Sequence, residues 1–477
     1  MSKNWCFDNE KKNSRFFISA LSPITFVSNS IRLFTHFMSV SSVSIRGSEL
    51  QPMGGDRRAT MDEMFCNRVR DSRSISPDQA LVNMVKVMMG TGMLSLPLAF
   101  KHSGLWLGLL LLFIICLICI YCTRQLVYGQ HYITFIKNEQ RMDYANVMRH
   151  AIELGPEWIR GRGYLFKQLV NVNMFVAQFG FCCVYFVFMA DNLKQFFDQT
   201  SSIHISQAGW IALLLIPIIL LCTIRELRAL APLAAIANVV YLVAVVIVLG
   251  ELFSEWQPWD QLPAVGSWES LPLFFGTVMF AFEGVAVVLP IENQMDEPIH
   301  FITPNGVLNT SCLLVLFLYM TVGFFGYLRY GNDIKDTLTL NLPATSFFQA
   351  IKLMFVSCIL VSYPLQFYVP MERVVEGRQE VMIYGVRIGG VILTCVMAQL
   401  IPHLALIISL VGSVAGTSLT LVFPPLIELL CYYSRDELTK WVWARNIGLM
   451  MFAVVGFATG TYSSMVEIYK AIGTSDV

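Results

Sequence analysis

Residues 86–97 read KVMMGTGMLSLP, and residues 275–295 read FGTVMFAFEGVAVVLPIENQM. Each stretch is a long apolar segment that helix breakers interrupt, with Gly90 and Gly92 in the first and Gly284 in the second. Two interrupted hydrophobic segments at corresponding positions of two halves are the sequence sign of a transporter built from inverted repeats. They predict two discontinuous helices that meet near the middle of a membrane. A simpler alternative is that the glycines only let helices pack closely.

The composition restricts the class of protein around these two stretches. The 477 residues are 55% hydrophobic and only 14% charged, and the formal net charge is zero. A soluble protein carries about a quarter charged residues, so a water-facing surface of the usual kind is excluded. A nucleic-acid binder normally has a basic excess, and sparse charge argues against general disorder. We therefore expect a membrane protein with membrane lipid, and no nucleic acid, among its partners.

Long apolar segments follow one another after Pro77, each near the length that about 30 Å of hydrocarbon requires. Backbone groups in lipid are satisfied within the segment, and the alternation of a barrel strand is absent. The predicted fold class is an all-α, multi-pass membrane protein with about eleven transmembrane helices. The predicted spans lie at about 79–100, 104–123, 167–190, 208–224, 229–250, 271–291, 307–328, 347–370, 383–401, 404–430 and 445–466.

The polar ends of the chain and its basic loops predict an orientation. Residues 1–78 are basic and serine-rich, and we interpret them as a flexible cytosolic tail. Residues 79–470 form the predicted transmembrane transporter domain, and 471–477 form a short C-terminal tail. Lys and Arg, for example Arg124 and Arg141, concentrate in the loops on the N-terminal side. This bias predicts a cytosolic N-terminus and an extracellular or luminal C-terminus. It leaves plasma membrane and lysosomal membrane as alternatives.

The chemistry of the two interruptions suits a zwitterion. Unwinding at Gly90, Thr91 and Gly92 frees backbone N–H groups at the N-terminus of a half-helix, where a carboxylate binds well. Carbonyl groups freed near Phe280 and Phe282 can accept hydrogen bonds from an ammonium group. The two interruptions together predict a binding site for an amino acid.

Glu283 is the single residue that the sequence marks most clearly as a functional candidate. It lies near the middle of an apolar span, where an ionised carboxylate costs about 2.5–3.5 kcal/mol. Protonation lowers that cost, and a group that is protonated in one state and ionised in another carries a proton. The alternative is a permanently neutral acid that hydrogen-bonds a neighbouring helix. For Lys86, nearer the end of its span, we favour a side chain that reaches back to the cytosolic interface.

Signatures of an enzyme or a metal protein are missing from the sequence. It has no Walker loop, HExxH or GxSxG motif, and the polar loops are too short for a soluble catalytic domain. The cysteines mostly lie in apolar stretches, where they act as small hydrophobic residues. We therefore predict no enzyme activity, no metal site and no cofactor, with the proton as coupling ion.

The two interrupted stretches and four more resemble the proton-coupled amino-acid transporters of the amino acid/auxin permease superfamily. The further stretches are QFGFCCVYFVFMADNLKQ (178–195), GYLRYGNDIKDTLTLNLP (326–343), LQFYVP (365–370) and SLVGSVAGTSLTLVFPPLIE (409–428). The resemblance covers about residues 79–470. It implies a five-plus-five inverted repeat with an added eleventh helix. It also implies symport of protons with small neutral amino acids of the glycine, alanine and proline class toward the cytosol.

The same resemblance assigns roles residue by residue. Gly90, Thr91 and Gly92 correspond to the interruption that binds the carboxylate, while Phe280, Phe282 and Glu283 correspond to the facing interruption. Two departures from the family matter. The loops 191–207 and 331–346 lack the cysteines of the family's extracellular disulfide. Proton-coupled members also carry a histidine seven residues before the first of these glycines.

That histidine position is Asn83 here, and its side chain cannot titrate. A proton-independent facilitator or exchanger is therefore an alternative. A second alternative is an amino-acid sensor that signals through its cytosolic tail.

Overall fold

The computed structural model describes residues 74–474 except 138, 140, 203, 225, 226, 255, 376–379 and 402. This part of the chain is helical, and its one β contact is a parallel bridge between Ile75 and Met295. The longer helices are α1 (Pro77–Met88), α2 (Thr91–Ser103), α3 (Leu105–Lys137), α4 (Tyr144–Glu153), α5 (Gly163–Thr200), α6 (Gln207–Thr223), α7 (Leu227–Leu252), α8 (Leu271–Ala281), α9 (Val285–Gln294), α10 (Val307–Tyr330), α11 (Ser346–Val375), α12 (Glu380–Leu400), α13 (Leu404–Ser434) and α14 (Lys440–Thr474). Single turns occur at Glu157–Arg160, Trp259–Gln261, Ile299–Ile302, Gly331–Asp333 and Leu338–Asn341.

The helices agree with the predicted all-α, multi-pass class. In the described part of the chain, nine helices are long and apolar enough to cross a membrane, with α8 and α9 counted as one. The bent pair of α1 and α2 makes ten, and α6, apolar but 17 residues long, falls short of a full span. Length and composition therefore do not confirm the count of eleven.

The predicted terminal tails fall mostly outside this part of the chain. Residues 1–73 of the N-terminal tail lie outside the described residues, and α1 begins at Pro77. At the other end α14 continues to Thr474, into the range predicted as the C-terminal tail.

The start of α1 is fixed by local chemistry and by a contact with α9. Ser76 and Gln79 form a capping box, and Pro77 occupies the first helical position. Just before the cap, Ile75 exchanges backbone hydrogen bonds with the end of α9, donating to the Gln294 carbonyl at 2.8 Å. This contact ties the outer ends of two half-helices together, so α1 and α9 are held as one unit.

Both predicted interruptions are present. α1 ends at Met88 and α2 begins at Thr91, with a bend of 52° between the two helices. Gly90 lies in extended conformation at the bend and acts as the N-terminal cap of α2. In the second stretch, residues 282–284 separate α8 from α9. The backbone therefore leaves the helical path at two sites, as the breakers indicated.

Close packing, the alternative role of the glycines, applies at some positions and not at others. A Cβ atom on Gly92 would stand 2.8 Å from the Ala281 Cα atom, so this glycine lets the two interruptions touch. On α13, a Cβ on Gly412 would stand 2.0 Å from the Gly276 carbonyl oxygen. A Cβ on Gly90 would meet no heavy atom within 4 Å, so close packing does not explain this glycine.

The loop between α3 and α5 contains the short helix α4. The Asp143 side chain accepts a hydrogen bond from the Asn146 N–H group at 3.1 Å and caps α4. The apolar face of α4 is buried, and the Tyr144 hydroxyl donates to the Leu419 carbonyl at 2.6 Å. The short helix therefore packs against α13.

Candidate substrate site

A cavity of about 690 Å³ lies where the two interruptions meet. Its walls come from α1, the start of α2, the region between α8 and α9, and the facing parts of α5, α7 and α11. The volume is within the usual range for a small-molecule site. Half of the residues of α1 and part of the first turn of α9 line the cavity, so it extends along these two half-helices. On the other side, α2 and α8 are packed together with nearly every residue buried.

The first interruption places hydrogen-bond donors on the cavity. Gly90, Thr91 and Gly92 all line it. Thr91 and Gly92 begin a new helix, so their N–H groups have no carbonyl one turn earlier within that helix. The Thr91 hydroxyl is buried and has no hydrogen-bond partner among the described residues. We call these three residues the donor pole, because their groups suit a carboxylate.

The second interruption places a carboxyl group on the same cavity. Glu283 is only 8% exposed, and neither of its oxygens has a hydrogen-bond partner in the described part of the chain. On α13, a Cβ on Gly416 would stand 3.6 Å from Oε2 of Glu283. The Phe280 side chain and Glu283 both line the cavity. We call Phe280 and Glu283 the acceptor pole, because the carboxyl oxygens of Glu283 are acceptors without a partner among the described residues. The predicted freeing of the carbonyls is not seen, since the Phe280 carbonyl accepts from the Glu283 N–H group at 3.3 Å and the Phe282 carbonyl accepts from the Gly284 N–H group at 2.8 Å. The Phe280 carbonyl retains a second lone pair for a further hydrogen bond.

The side chain of Phe282, a predicted site residue, points elsewhere. It packs against Tyr319 of α10 with ring centroids 5.1 Å apart and is absent from the residues that line the cavity. Its neighbour Tyr319 is fully buried, and its hydroxyl contacts carbonyl oxygens of both interruptions, Met88 and Ala281, the latter at 2.7 Å. A hydroxyl has one hydrogen to donate, so the two carbonyls share it. Phe282 and Tyr319 therefore support the site from behind.

Three aromatic residues that the sequence alone does not single out complete the cavity wall. Phe181 and Tyr185 of α5 line it, and the Phe181 ring lies 4.7 Å from the Phe280 ring, centroid to centroid. Tyr241 of α7 donates from its hydroxyl to the Gly90 carbonyl at 3.1 Å. Aromatic residues in an apolar helix carry no sequence signal that separates a cavity wall from ordinary packing.

Charge in the cavity is sparse. Among the described residues that line it, Lys86 and Glu283 are the ones with ionisable acidic or basic side chains, and Lys86 lies one turn before Gly90. Lys86 is exposed at the end of the cavity formed by α1. Its position agrees with the predicted side chain that reaches toward the interface.

The broken helices and the cavity between them are typical of a multi-pass membrane transporter. Comparison with known proteins makes the class specific, because the family described as "Transmembrane amino acid transporter protein" matches residues 73–469. The chain belongs to this family, and the resemblance seen in the sequence is confirmed.

Named relatives agree with this assignment. The chain is 30% identical over 418 residues to the "proton-coupled amino acid transporter-like protein pathetic" of Drosophila melanogaster, with 86% of this chain and 88% of that protein covered. It is 26% identical to the "probable amino acid transporter skat-1" of Caenorhabditis elegans, with coverages of 85% and 93%. Both relatives are named as transporters, which agrees with the prediction that the chain is not an enzyme.

A solved structure supports the fold. The inward-facing conformation of Mhp1 superposes with a TM-score of 0.50 at 11% identity, covering 86% of this chain and 95% of that one. At this identity the likeness shows the fold alone, which is the inverted-repeat transporter fold of the LeuT type.

Proposed function

We propose that this amino-acid transporter carries small neutral amino acids toward the cytosol by proton symport. The observation that supports the proposal best is one cavity with two unlike ends. The donor pole offers N–H groups and the Thr91 hydroxyl, and the acceptor pole offers the Glu283 carboxyl. A molecule with a carboxylate and an ammonium group in fixed relation fits both ends at once.

The sparse charge of the cavity favours neutral substrates. Once the two poles are engaged by the α-carboxylate and the ammonium, Lys86 is the single remaining Asp, Glu, Lys, Arg or His among the described lining residues, and it lies toward the N-terminal end. A charged substrate side chain would lie among apolar and aromatic groups without a partner, which is costly. The paired rings of Phe181 and Phe280 narrow the space beside the second interruption and favour small side chains. Glycine, alanine and proline meet both conditions.

Glu283 is the proposed proton carrier. Its carboxyl has no basic partner among the described residues, and an unpaired ionised carboxylate at this depth costs about 2.5–3.5 kcal/mol. A proton or the ammonium group of the substrate therefore compensates the charge. Binding both from one side and releasing both to the other gives symport. Asn83 at the histidine position leaves Glu283 as the acid on which this coupling depends.

The proposed direction rests on orientation. With the N-terminus in the cytosol, α1 and α9 form the cytosolic half of the cavity, which extends along them. Release along these half-helices delivers the substrate to the cytosol, and the C-terminus then lies on the extracellular or luminal side of a plasma or lysosomal membrane.

Uptake by purified protein in liposomes tests the proposal directly. We expect labelled alanine, glycine and proline to enter, and to accumulate only when the proton gradient points inward. No transport of any amino acid would refute the proposal. Transport that does not depend on the proton gradient would instead identify a facilitator or exchanger. That result would agree with the presence of Asn83, which cannot titrate, at the histidine position.

Truncation of the N-terminal segment distinguishes a sensor from a transporter. Deletion of residues 1–73 leaves every described helix intact, so we expect transport to continue at the level of the full chain. Lost amino-acid signalling in cells with transport retained would favour the sensor.

A further inference from the structure

Gln178 is a buried polar residue of the cavity that the two poles do not yet include. It lies on α5, is only 5% exposed, and lines the cavity. Its side-chain oxygen is fully buried and has no hydrogen-bond partner among the described residues. Buried polar atoms are nearly always hydrogen-bonded in folded proteins, so an unpartnered oxygen on a residue that lines a cavity points to a ligand.

Helical spacing places Gln178 on the wall rather than in the packed interface of α5. Gln178, Phe181 and Tyr185 follow at intervals of three and four residues, which is one face of a helix, and all three line the cavity. On another side of the same turn, Gly180 packs against α13, where its Cβ would stand 2.5 Å from a Val411 methyl group. The face that bears Gln178 is therefore the one turned to the substrate.

The same contacts put Gln178 beside the acceptor pole. The Phe181 ring, one turn along from Gln178, lies against the Phe280 ring with centroids 4.7 Å apart. α13 reaches the same residue from its own side, since a Cβ on Gly412 would stand 2.6 Å from the Phe280 backbone nitrogen. The turn of α5 with Gln178 is thus packed around the end of α8, where the ammonium group of the substrate is proposed to bind.

A primary ammonium group has three hydrogens, one more than the number of carboxyl oxygens on Glu283. A carboxamide oxygen is an acceptor that no change of pH removes. The donor pole already has N–H groups and a hydroxyl for the carboxylate, so an acceptor is the complement that the second end needs.

We propose that the side-chain oxygen of Gln178 accepts a hydrogen bond from the ammonium group of the substrate, and so selects for the number of N–H groups on it. This inference rests on the proposed amino-acid site. It assigns different roles to two residues. Glu283 couples the proton, and Gln178 recognises the ammonium group of the substrate whether Glu283 is protonated or ionised.

Substitution Gln178→Leu tests the assignment, because leucine keeps the approximate volume and removes the acceptor. Gln168→Leu is a matched control on the same helix, since Gln168 is exposed and donates to the Tyr164 hydroxyl. The readout is the inhibition constant of glycine, sarcosine and N,N-dimethylglycine against labelled alanine uptake in liposomes. These compounds carry three, two and one N–H hydrogens on the charged nitrogen.

We expect Gln178→Leu to raise the inhibition constant of glycine about 10-fold, as for loss of a hydrogen bond to a charged group. The inhibition constant of N,N-dimethylglycine should rise far less, so the preference for glycine over N,N-dimethylglycine should fall about 10-fold. The control Gln168→Leu should keep the wild-type preference. A structural role for Gln178 would weaken all three compounds equally, and that result would overturn the inference.

A second pair of compounds tests whether Gln178 contacts the amine end of the substrate or its carboxylate end. Discrimination between glycine and glycinamide, which lacks the carboxylate, should be the same in wild type and Gln178→Leu. If this discrimination falls instead, Gln178 binds the carboxylate and the inference is wrong. If the wild type transports no amino acid, the proposed function fails, whereas uniform losses in Gln178→Leu with an active wild type refute only the role of Gln178.

Discussion

Substitution Glu283→Gln is the most informative change, because it keeps the shape of the side chain and removes its titration. The structure gives the magnitude of the effect on insertion. Glu283 is 8% exposed with both oxygens unpartnered, so no ion pair or hydrogen bond among the described residues is lost. The ionised acid costs about 2.5–3.5 kcal/mol at this depth, and a neutral amide avoids that cost. We expect the variant to insert and fold as well as the wild type.

The expected loss is in coupling, and its size follows from the gradient. One pH unit corresponds to about 1.4 kcal/mol per proton, which supports about 10-fold accumulation of a substrate that moves with one proton. In liposomes with an inward gradient of about one pH unit and no membrane potential, the wild type should concentrate labelled alanine about 10-fold. Glu283→Gln should only equilibrate it, so the ratio of internal to external alanine stays near one.

A matched variant makes this result specific. Glu269→Gln removes a carboxylate from an exposed position before α8 and should accumulate alanine like the wild type. The proton-carrier role of Glu283 is refuted if Glu283→Gln still concentrates alanine about 10-fold under the same gradient. In that case the proton moves through another group, and Glu283 is a neutral acid that only contributes to packing or binding.

Three further changes test other parts of the structure. Tyr319→Phe removes the hydroxyl that contacts both interruptions and should cost about 1–2 kcal/mol of stability and slow uptake, measured by thermal unfolding in detergent and by initial rates. Gly92→Ala should cost about 1–3 kcal/mol because its Cβ meets the second interruption at 2.8 Å, while Gly90→Ala, with open space around it, should fold normally in the same unfolding assay. Burial raises the pKa of Glu153, but hydrogen bonds from His150 and from an arginine on the same helix outweigh it and hold this pKa below its ordinary value. A lowered pKa in the folded state means that stability present near neutral pH is lost as the pH falls through the acidic range, and Glu153→Gln should flatten that part of a stability curve.

Much of the site was predictable because breaks in a helix are local events. Glycines inside long apolar runs mark where the backbone leaves the helix, and Gly90, Gly92 and Gly284 all lie at the two interruptions. A lone carboxyl in an apolar span is equally visible in sequence, and Glu283 does line the cavity. Each of these signals depends on the residue and its near neighbours along the chain.

Residues that belong to the site through the packing of different helices were not predictable in this way. Gln178 is an uncharged residue inside a continuous predicted span, and only the contact of α5 with the end of α8 places it on the cavity. Phe282 shows the reverse case, because its backbone lies in the interruption while its side chain turns to Tyr319. The direction of a side chain at a break depends on which neighbouring helix offers it a surface.

The sequence by itself determined the membrane class, the two breaks, the mid-span acid and the bias of basic residues toward one side. These features follow from the length of apolar runs, from backbone conformations that only certain residues favour, and from the cost of charge in lipid. The tertiary structure decided which groups share one cavity and which are left without partners. Those properties arise between helices far apart in the chain, where packing geometry rather than local composition sets the distance between two atoms.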